Sequence, residues 1–355
     1  MKASEETRAR LLTHAAAYPR MGVRDLFKFI FQSAYGCEHL LASEADAVRY
    51  IRSEREIIGT RASHLPERLD GAYSRVFLSC LDDGLSPETL AKLFCRSAKK
   101  EANGREALLE KIAVARGLAA EGLLPFSLEE FEREHDAWRD AGYPAVRHTD
   151  AFRAAYAPAY RVIAEEYVRF LPLFSAIDRM VKNGRAIVAI EGGSASGKTT
   201  LSSLLSSLYD CTILHMDDFF LRPEQRTPAR FAEVGGNIDK ERFLAEVLLP
   251  LSEGSAVSYR PFDCGKPALA EARTVVPRPL VIVEGAYSMH PALAPYYDFS
   301  ALLDITPAYQ KKRIEKRNTP PLAKRFFEEW IPMENRYFEK TDIRSRVDLI
   351  IPIEE

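Results

Sequence analysis

One stretch of the chain has residue types and spacing that are typical of a phosphate-binding loop. Residues 192–199 read GGSASGKT, with Gly192, Gly197, Lys198 and Thr199 in the fixed places of the pattern G-x-x-x-x-G-K-[ST]. A short apolar segment precedes this loop, and leucines at helical spacing follow it. When a glycine-rich loop joins a strand to a helix, the backbone N–H groups of the loop and of the helix N-terminus can point at a phosphate group. The sequence therefore predicts a site for a nucleoside triphosphate.

This prediction gives the residues of the loop separate roles. Lys198 should reach the β- and γ-phosphates, and the hydroxyl of Thr199 should bind Mg²⁺. The nucleotide-binding residues are then Gly192, Gly193, Ser194, Ala195, Ser196, Gly197, Lys198, Thr199 and Thr200. The alternative is a glycine-rich turn that happens to contain a lysine. The apolar segment before the loop and the helical leucine spacing after it argue against this alternative.

Acidic residues follow two other apolar segments of the same half. Asp217 and Asp218 come after residues 211–216, and Glu284 comes after a second segment of this kind. Chemistry in parallel sheets takes place beyond the carboxyl ends of the strands. Asp217 could accept the proton of an attacking alcohol, and Asp217 and Glu284 could hold Mg²⁺ together with Thr199. Helix caps and solvated strand-terminal charges are the alternative for these carboxylates.

A basic segment, KKRIEKR, occupies residues 311–317. Arg313 and Arg317 are four residues apart, so a helix would present both on one face. Two guanidinium groups in this arrangement suit phosphate oxygens, which predicts a role in catalysis. A solvated, charged helix face is the alternative.

The composition restricts the class of protein. The chain has 355 residues, of which 46% are hydrophobic and 28% are charged, with a formal net charge of −2. This length favours two domains, and the charge gives no reason to expect nucleic acid or a membrane as partner. A small molecule is the expected partner, and assembly into a homo-oligomer stays open. Scattered cysteines, with no signal peptide and no membrane-length apolar run, indicate a cytoplasmic protein.

The character of the sequence changes near residue 181. Residues 1–180 are predicted to form a mostly α-helical domain of unknown role, because apolar residues recur at helical spacing through segments such as 23–31, 107–118 and 152–174. Residues 181–355 alternate short apolar strands with helices. This alternation predicts an α/β fold with a parallel sheet covered by helices on both faces.

The most distinctive N-terminal segment is FQSAYGCEH, at residues 31–39. Gln32, Glu38 and His39 could face a ligand there. A helix that ends at Gly36 and carries a structural histidine is the favoured interpretation.

From about residue 185 to 353, the order of motifs resembles the uridine kinase and phosphoribulokinase group of P-loop kinases. The shared motifs are GGSASGKT, HMDDFF, GGNID, YRPFDC, VIVEGAY and the basic helix. The resemblance implies ATP and Mg²⁺ as cofactors and Asp217 as the general base. It also implies that Arg313 and Arg317 belong to a lid over the phosphates. Asp239 would then hydrogen-bond the ribose hydroxyls of a nucleoside.

The sequence departs from this family near the base pocket. Uridine kinases usually have a Tyr-Asp-Phe run where this chain has Phe262, Asp263 and Cys264, so a tyrosine hydroxyl is absent. Phe262, Asp263 and Tyr259 remain as expected substrate contacts, and the identity of the base stays open.

Two functions are compatible with these motifs. The first is an ATP-dependent kinase that phosphorylates a small-molecule hydroxyl, with a nucleoside as the favoured acceptor. The second is a nucleotide-dependent regulator or ATPase switch whose helical domain binds a partner. Asp217 favours the kinase, because a switch has little use for a carboxylate that activates an alcohol.

Overall fold

The computed structural model describes residues 2–36, 43–59, 64–98 and 104–354. The chain divides into two compact units, Met1–Asp178 and Arg179–Glu355. Glu38 and His39 lie outside the described residues. Within the described ranges, no helix is both long enough and apolar enough to cross a membrane.

Helices make up most of the first half of the chain. They are α1 (Lys2–Ala17), α2 (Val23–Tyr35), α3 (Glu44–Ile58), α4 (Pro87–Ala98), α5 (Gly104–Ala120), α6 (Leu128–Asp140), α7 (Asp150–Tyr156), α8 (Glu165–Val168) and α9 (Leu171–Lys182). The α2 helix buries Leu26, Phe27 and Ile30 completely or nearly so. It ends at Gly36, as predicted, where φ is +64° and a Cβ atom would lie 2.7 Å from the Tyr73 ring.

A small antiparallel sheet accompanies these helices, and the sequence did not predict it. Its strands are β1 (Glu67–Arg68), β2 (Tyr73–Phe77) and β3 (Tyr160–Ala164), in the order β1-β2-β3. The prediction of helical structure throughout residues 152–174 is therefore wrong in its middle. Ala157, in the left-handed conformation at φ +40°, and Pro158 end the helix, and the β-branched Val162 and Ile163 favour the strand that follows.

The second unit is an α/β fold with a parallel sheet, as predicted. Its strands are β4 (Ala186–Gly192), β5 (Cys211–His215), β6 (Val257–Tyr259), β7 (Phe262–Asp263), β8 (Ala268–Leu269), β9 (Arg273–Val275), β10 (Leu280–Glu284), β11 (Phe299–Ile305) and β12 (Leu349–Ile353). Within residues 179–354, the parallel sheet has the order β12-β11-β4-β10-β5. The strands β6 with β9, and β7 with β8, form antiparallel pairs.

The helices of this unit are shorter and follow the strands. They are α10 (Lys198–Leu208), α11 (Pro228–Ala232), α12 (Lys240–Phe243), α13 (Leu249–Ser252), α14 (Pro307–Arg317), α15 (Pro320–Arg325), α16 (Ile331–Thr341) and α17 (Ile343–Arg346). The α10 helix packs against β4, β5 and β10. Every residue of β4 and β10 is buried, and both strands are continuously apolar up to the glutamate near their carboxyl end, Glu191 in β4 and Glu284 in β10.

The register of the sheet brings the ends of three strands together. Glu284, the last residue of β10, lies opposite Ile190 of β4 on one side and His215 of β5 on the other. The segments that follow these strands therefore leave the sheet at the same edge. This edge carries the glycine loop and the acidic residues singled out in the sequence.

A buried carboxylate, Glu191, connects the segments at this edge. Its Oε1 accepts hydrogen bonds from the backbone N–H groups of Gly192 (2.8 Å) and Tyr287 (3.1 Å). Its Oε2 accepts from the N–H of Met289 and the hydroxyl of Tyr337, both at 3.0 Å. Burial raises the pKa of the Glu191 carboxyl to about 7, although these donors favour its ionised form.

Glu191→Ala should destabilise the protein much more than Tyr337→Phe. The first change leaves several buried donors without an acceptor, so we expect the free energy of unfolding to fall by about 3 kcal/mol or more. The second removes one donor and should cost about 1 kcal/mol. Urea denaturation of the two variants and the unchanged protein measures both losses. Equal losses would show that Glu191 does not hold these segments together.

Candidate functional site

The glycine loop forms a cradle between β4 and α10. Gly192 and Gly197 adopt φ values of +158° and +105°, and a Cβ atom on Gly192 would lie 2.7 Å from Ser196 Oγ. The Lys198 ammonium group donates hydrogen bonds to the carbonyl oxygens of Gly192 (2.8 Å) and Gly193 (3.0 Å). Only residues without a Cβ fit these positions, and the lysine is folded back over the loop.

An internal anion already contacts the rim of this cradle. The Glu334 carboxylate, from α16, accepts hydrogen bonds from the backbone N–H (2.8 Å) and the hydroxyl (2.6 Å) of Ser194. Burial raises the pKa of Glu334, while the bonds from Ser194 favour its charged form. The two donors of Ser194 are thus oriented towards a carboxylate, which is the kind of orientation that a phosphate site requires. The residues present fit a nucleotide phosphate.

Oxygen ligands suited to Mg²⁺ lie at the start of α10 and the end of β10. The Thr199 hydroxyl is 3.4 Å from Oε1 of Glu284, and the His215 Nδ1 atom is 2.6 Å from the same oxygen. The hydrogen bond to Glu284 raises the pKa of His215. Hydroxyl and carboxylate oxygens are the ligands that Mg²⁺ prefers, so Thr199 and Glu284 fit this metal. His215 was not identified from the sequence, although its place just before Asp217 was a signal.

The two neighbouring aspartates have different surroundings. Asp217 lines the cavity beside the loop, and burial raises the pKa of its carboxyl, with Lys198 opposing this effect and Glu284 adding to it. Asp218 instead accepts a hydrogen bond from the Tyr259 hydroxyl at 3.0 Å and lies 3.7 Å from Arg273. Asp217 is therefore the aspartate of this pair that faces the cavity, and its raised pKa suits a proton acceptor.

Helix α14 lies over the loop. Its Gln310 amide donates to the Ser194 carbonyl at 2.8 Å, and Arg313 Nη1 donates to the Ser196 carbonyl at 3.3 Å. Arg317 lines the cavity, with its guanidinium carbon 5.6 Å from the centre of the Phe326 ring. The predicted face of α14 thus carries Arg313 at the loop and Arg317 at the cavity.

A cavity of about 630 Å³ adjoins the loop. It brings together Ser194, Ala195, Lys198, Asp217 and Arg317, which the sequence singled out. It also contains residues that the sequence did not single out: Arg226, Asn237, Tyr287, Arg325, Trp330 and Glu334. Arg226, Asn237 and Tyr287 lie in loops and turns, where spacing carries no signal, whereas Arg325, Trp330 and Glu334 lie on helices. The volume is within the range of small-molecule sites.

The expected substrate contacts are only partly at this cavity. Phe262 lines it, and the Arg226 guanidinium carbon lies 5.3 Å from the centre of its ring. Asp239 is buried, caps α12 and accepts a hydrogen bond from Gln225 at 2.8 Å. Asp263 accepts from the N–H of Gly265 in a turn, and Tyr259 is bonded to Asp218. Among these four residues, the structure places Phe262 alone at the cavity wall.

Comparisons with known proteins give similarities in structure only. No protein-family model matches the chain, and no curated protein matches it. A solved structure of a possible uridine kinase from Bacillus stearothermophilus is 21% identical, with a TM-score of 0.39, and the match covers 50% of this chain and 98% of that chain.

Two further solved structures cover similar shares. The shikimate kinase from Bacteroides thetaiotaomicron is 13% identical over 47% of this chain and 86% of its own, with a TM-score of 0.27. TT1252 from Thermus thermophilus is 19% identical over 48% of this chain and 90% of its own, with a TM-score of 0.28. None of these similarities identifies the reaction or the substrate of this chain.

Proposed function

We propose that the C-terminal unit is a magnesium-dependent kinase that transfers the γ-phosphoryl group of ATP to a hydroxyl of a small molecule. The observation that carries this proposal is the shared cavity. Lys198 and Ser194 of the phosphate loop line the same space as the carboxylate of Asp217. A phosphate donor and a hydroxyl acceptor could therefore meet there, next to a group that accepts a proton.

Each residue has a role that follows from its position. Asp217 would orient the acceptor hydroxyl and take its proton, and Lys198 would turn from the loop carbonyls to the phosphate oxygens. Arg313 and Arg317 would stabilise the negative charge of the phosphoryl group in transit. Thr199 and Glu284 would hold Mg²⁺, with Asp217 close to it, and the bound metal would neutralise phosphate charge.

The acceptor that we favour is a nucleoside. The wall of the cavity supports an aromatic guest, because it combines Phe262, Phe220 and Trp330 with Asn237 and Arg226. The aromatic rings could stack on a base, and the amide and guanidinium groups could hydrogen-bond it. In this proposal Asp239, Tyr259 and Asp263 do not contact the acceptor. They form hydrogen bonds that position the segments lining the cavity.

The proposed function is tested by its dependence on an acceptor. We expect ADP formation from ATP and Mg²⁺ to rise when one of a panel of nucleosides, pantothenate or sugar alcohols is added, because the acceptor completes the site. The product should be a phosphomonoester, which ³¹P NMR identifies. ADP formation at the same rate with and without every acceptor would instead support the nucleotide-dependent regulator or ATPase switch.

Lys198→Ala should abolish phosphoryl transfer and weaken the binding of ATP. The variant removes the cation that faces the phosphates and leaves the backbone of the loop in place. ATP binding is measured by calorimetry and transfer by the acceptor assay. Undiminished transfer by Lys198→Ala would mean that the loop is not the phosphate site.

Asp217→Asn should lower kcat by roughly 10²- to 10⁴-fold, the contribution of a general base, and leave ATP binding nearly unchanged. Asp218→Asn is the matched control, since it removes the same charge from a neighbour bonded to Tyr259. We expect the control to keep most of the activity. Similar losses in both variants would exclude a specific role for Asp217.

A further inference from the structure

The N-terminal unit contains a buried polar cluster to which the kinase proposal gives no role. Arg75, with 1% of its surface exposed, donates from Nε to Gln32 Oε1 (2.9 Å) and from Nη1 to Glu67 Oε2 (3.1 Å). Burial tends to raise the pKa of Glu67, but Arg75 and His14 outweigh it and hold the pKa at about 2. Arg75 and Glu67 therefore form a charged pair at neutral pH, inside a largely apolar unit.

A second set of buried groups adjoins this pair. His148 Nδ1 lies 3.0 Å from Asp25 Oδ1, and its Nε2 lies 2.7 Å from the Tyr160 hydroxyl. The Tyr160 hydroxyl is also 3.3 Å from Gln32 Oε1. Burial lowers the pKa of His148 to about 4, so the imidazole is neutral near pH 7. The cluster thus fixes both Tyr160 and the oxygen of Gln32 in place.

Gln32, His148 and Tyr160 line a cavity of about 500 Å³, here called the N-terminal cavity. Only 4% of the surface of Gln32 is exposed. Its Oε1 is already bonded, while its Nε2 donor makes no hydrogen bond to any residue that the structure describes. The amide group of Gln32 is thereby held so that it offers an unused donor to the cavity.

Two unpaired cations line the same cavity. The Lys28 ammonium donates to the Val146 carbonyl at 3.2 Å, and neither Lys28 nor Arg147 forms an ion pair with a described residue. Burial, together with the positive charges of Arg75, Arg153 and Arg147, lowers the pKa of Lys28 to about 8. Burying a cation without a counter-ion costs free energy, so the half-buried Lys28 favours an incoming anion, and the exposed Arg147 adds positive charge at the same cavity.

The carboxylates that line the N-terminal cavity do not neutralise these cations. Glu54 is paired with Arg161 at 2.7 Å, and Asp46 is bonded to Arg49 and Ser43. Asp25 does not line the cavity; its charge raises the pKa of Lys28, but its carboxylate accepts hydrogen bonds from Gly22, Thr149 and His148 and forms no ion pair with Lys28. The residues that line the cavity carry three positive charges, on Lys28, Arg147 and Arg161, against two negative charges, on Asp46 and Glu54, so the net charge of the lining is positive.

We propose that the N-terminal cavity is a second ligand site, which binds a small organic anion through Lys28, Arg147 and the amide of Gln32. The anionic group is a carboxylate or a phosphate, since both accept hydrogen bonds from ammonium, guanidinium and amide donors. A flat apolar part of the ligand packs against Phe94 and Tyr50, which also line the cavity. The volume suits a molecule of this kind.

Calorimetric titration of the full chain with benzoate and with phenyl phosphate tests this site. We expect saturable binding of at least one probe, and the stronger of the two shows which anionic group the site prefers. Lys28→Met keeps the apolar stem and removes the charge, so its affinity should fall by about tenfold or more. The phosphate loop is unchanged in this variant, so probe binding at the loop is the same in both proteins.

Arg139→Ala is the control variant, since Arg139 is an exposed arginine of the same unit that pairs with Asp136 and does not line the cavity. Its affinity for the probe should equal that of the unchanged protein. Absence of saturable binding of either probe, or equal affinity in Lys28→Met and the unchanged protein, overturns the proposal.

A measurement on the unchanged protein covers the case in which Lys28→Met does not fold. Amine-specific labelling followed by mass spectrometry reports the reactivity of each lysine. The bound probe should slow the labelling of Lys28 and leave that of Lys182, an exposed lysine, unchanged. Labelling of Lys28 at the same rate with and without probe contradicts the site.

Discussion

The arrangement of the candidate active site depends on the buried carboxylate of Glu191. This one side chain accepts hydrogen bonds from the start of the glycine loop, from the turn after β10 and from Tyr337 of α16. The same three segments carry Lys198, Glu284 and Glu334. Because several donors share one acceptor group, moving any segment would leave a buried polar group unpaired. The shared hydrogen bonding to Glu191 explains how residues distant in sequence meet at one edge of the parallel sheet.

The charges around the loop are unbalanced in a way that fits the proposed reaction. Asp217 and Glu334 both interact with Lys198, and the charge of Glu284 adds to burial in raising the pKa of Asp217. A bound divalent cation would relieve this repulsion and favour the ionised carboxylates. Phosphate groups would then bring the negative charge that Lys198, Arg313 and Arg317 are placed to meet. Metal and nucleotide therefore complement each other in this site.

The sequence predicted features that are encoded by consecutive residues, and it did not predict contacts between residues far apart in the chain. It predicted the strand, loop and helix around residues 192–199, the parallel sheet and the position of Asp217, because each is encoded by consecutive residues. It did not predict the antiparallel pairing of β2 with β3, which joins residues far apart in the chain. Glu334 and His215 were missed because their roles depend on neighbours at Ser194 and Glu284. Asp239 and Asp263 were expected from their motif positions to contact a substrate, and in the structure their carboxylates accept hydrogen bonds from the backbone N–H groups of Arg242 and Gly265.

A lysine that donates hydrogen bonds to backbone carbonyl oxygens occurs both at the phosphate loop and at the N-terminal cavity. Lys198 donates to the carbonyls of Gly192 and Gly193, and Lys28 donates to the carbonyl of Val146. Neither lysine forms an ion pair with a described residue. A carbonyl oxygen only partly replaces the water that a partly buried ammonium group loses. An anion therefore gains more binding free energy from either of these lysines than from a lysine that already has an ion-pair partner. In the C-terminal unit this feature coincides with a motif known to bind phosphate, and the same physical argument applies to Lys28, where no motif marks the site.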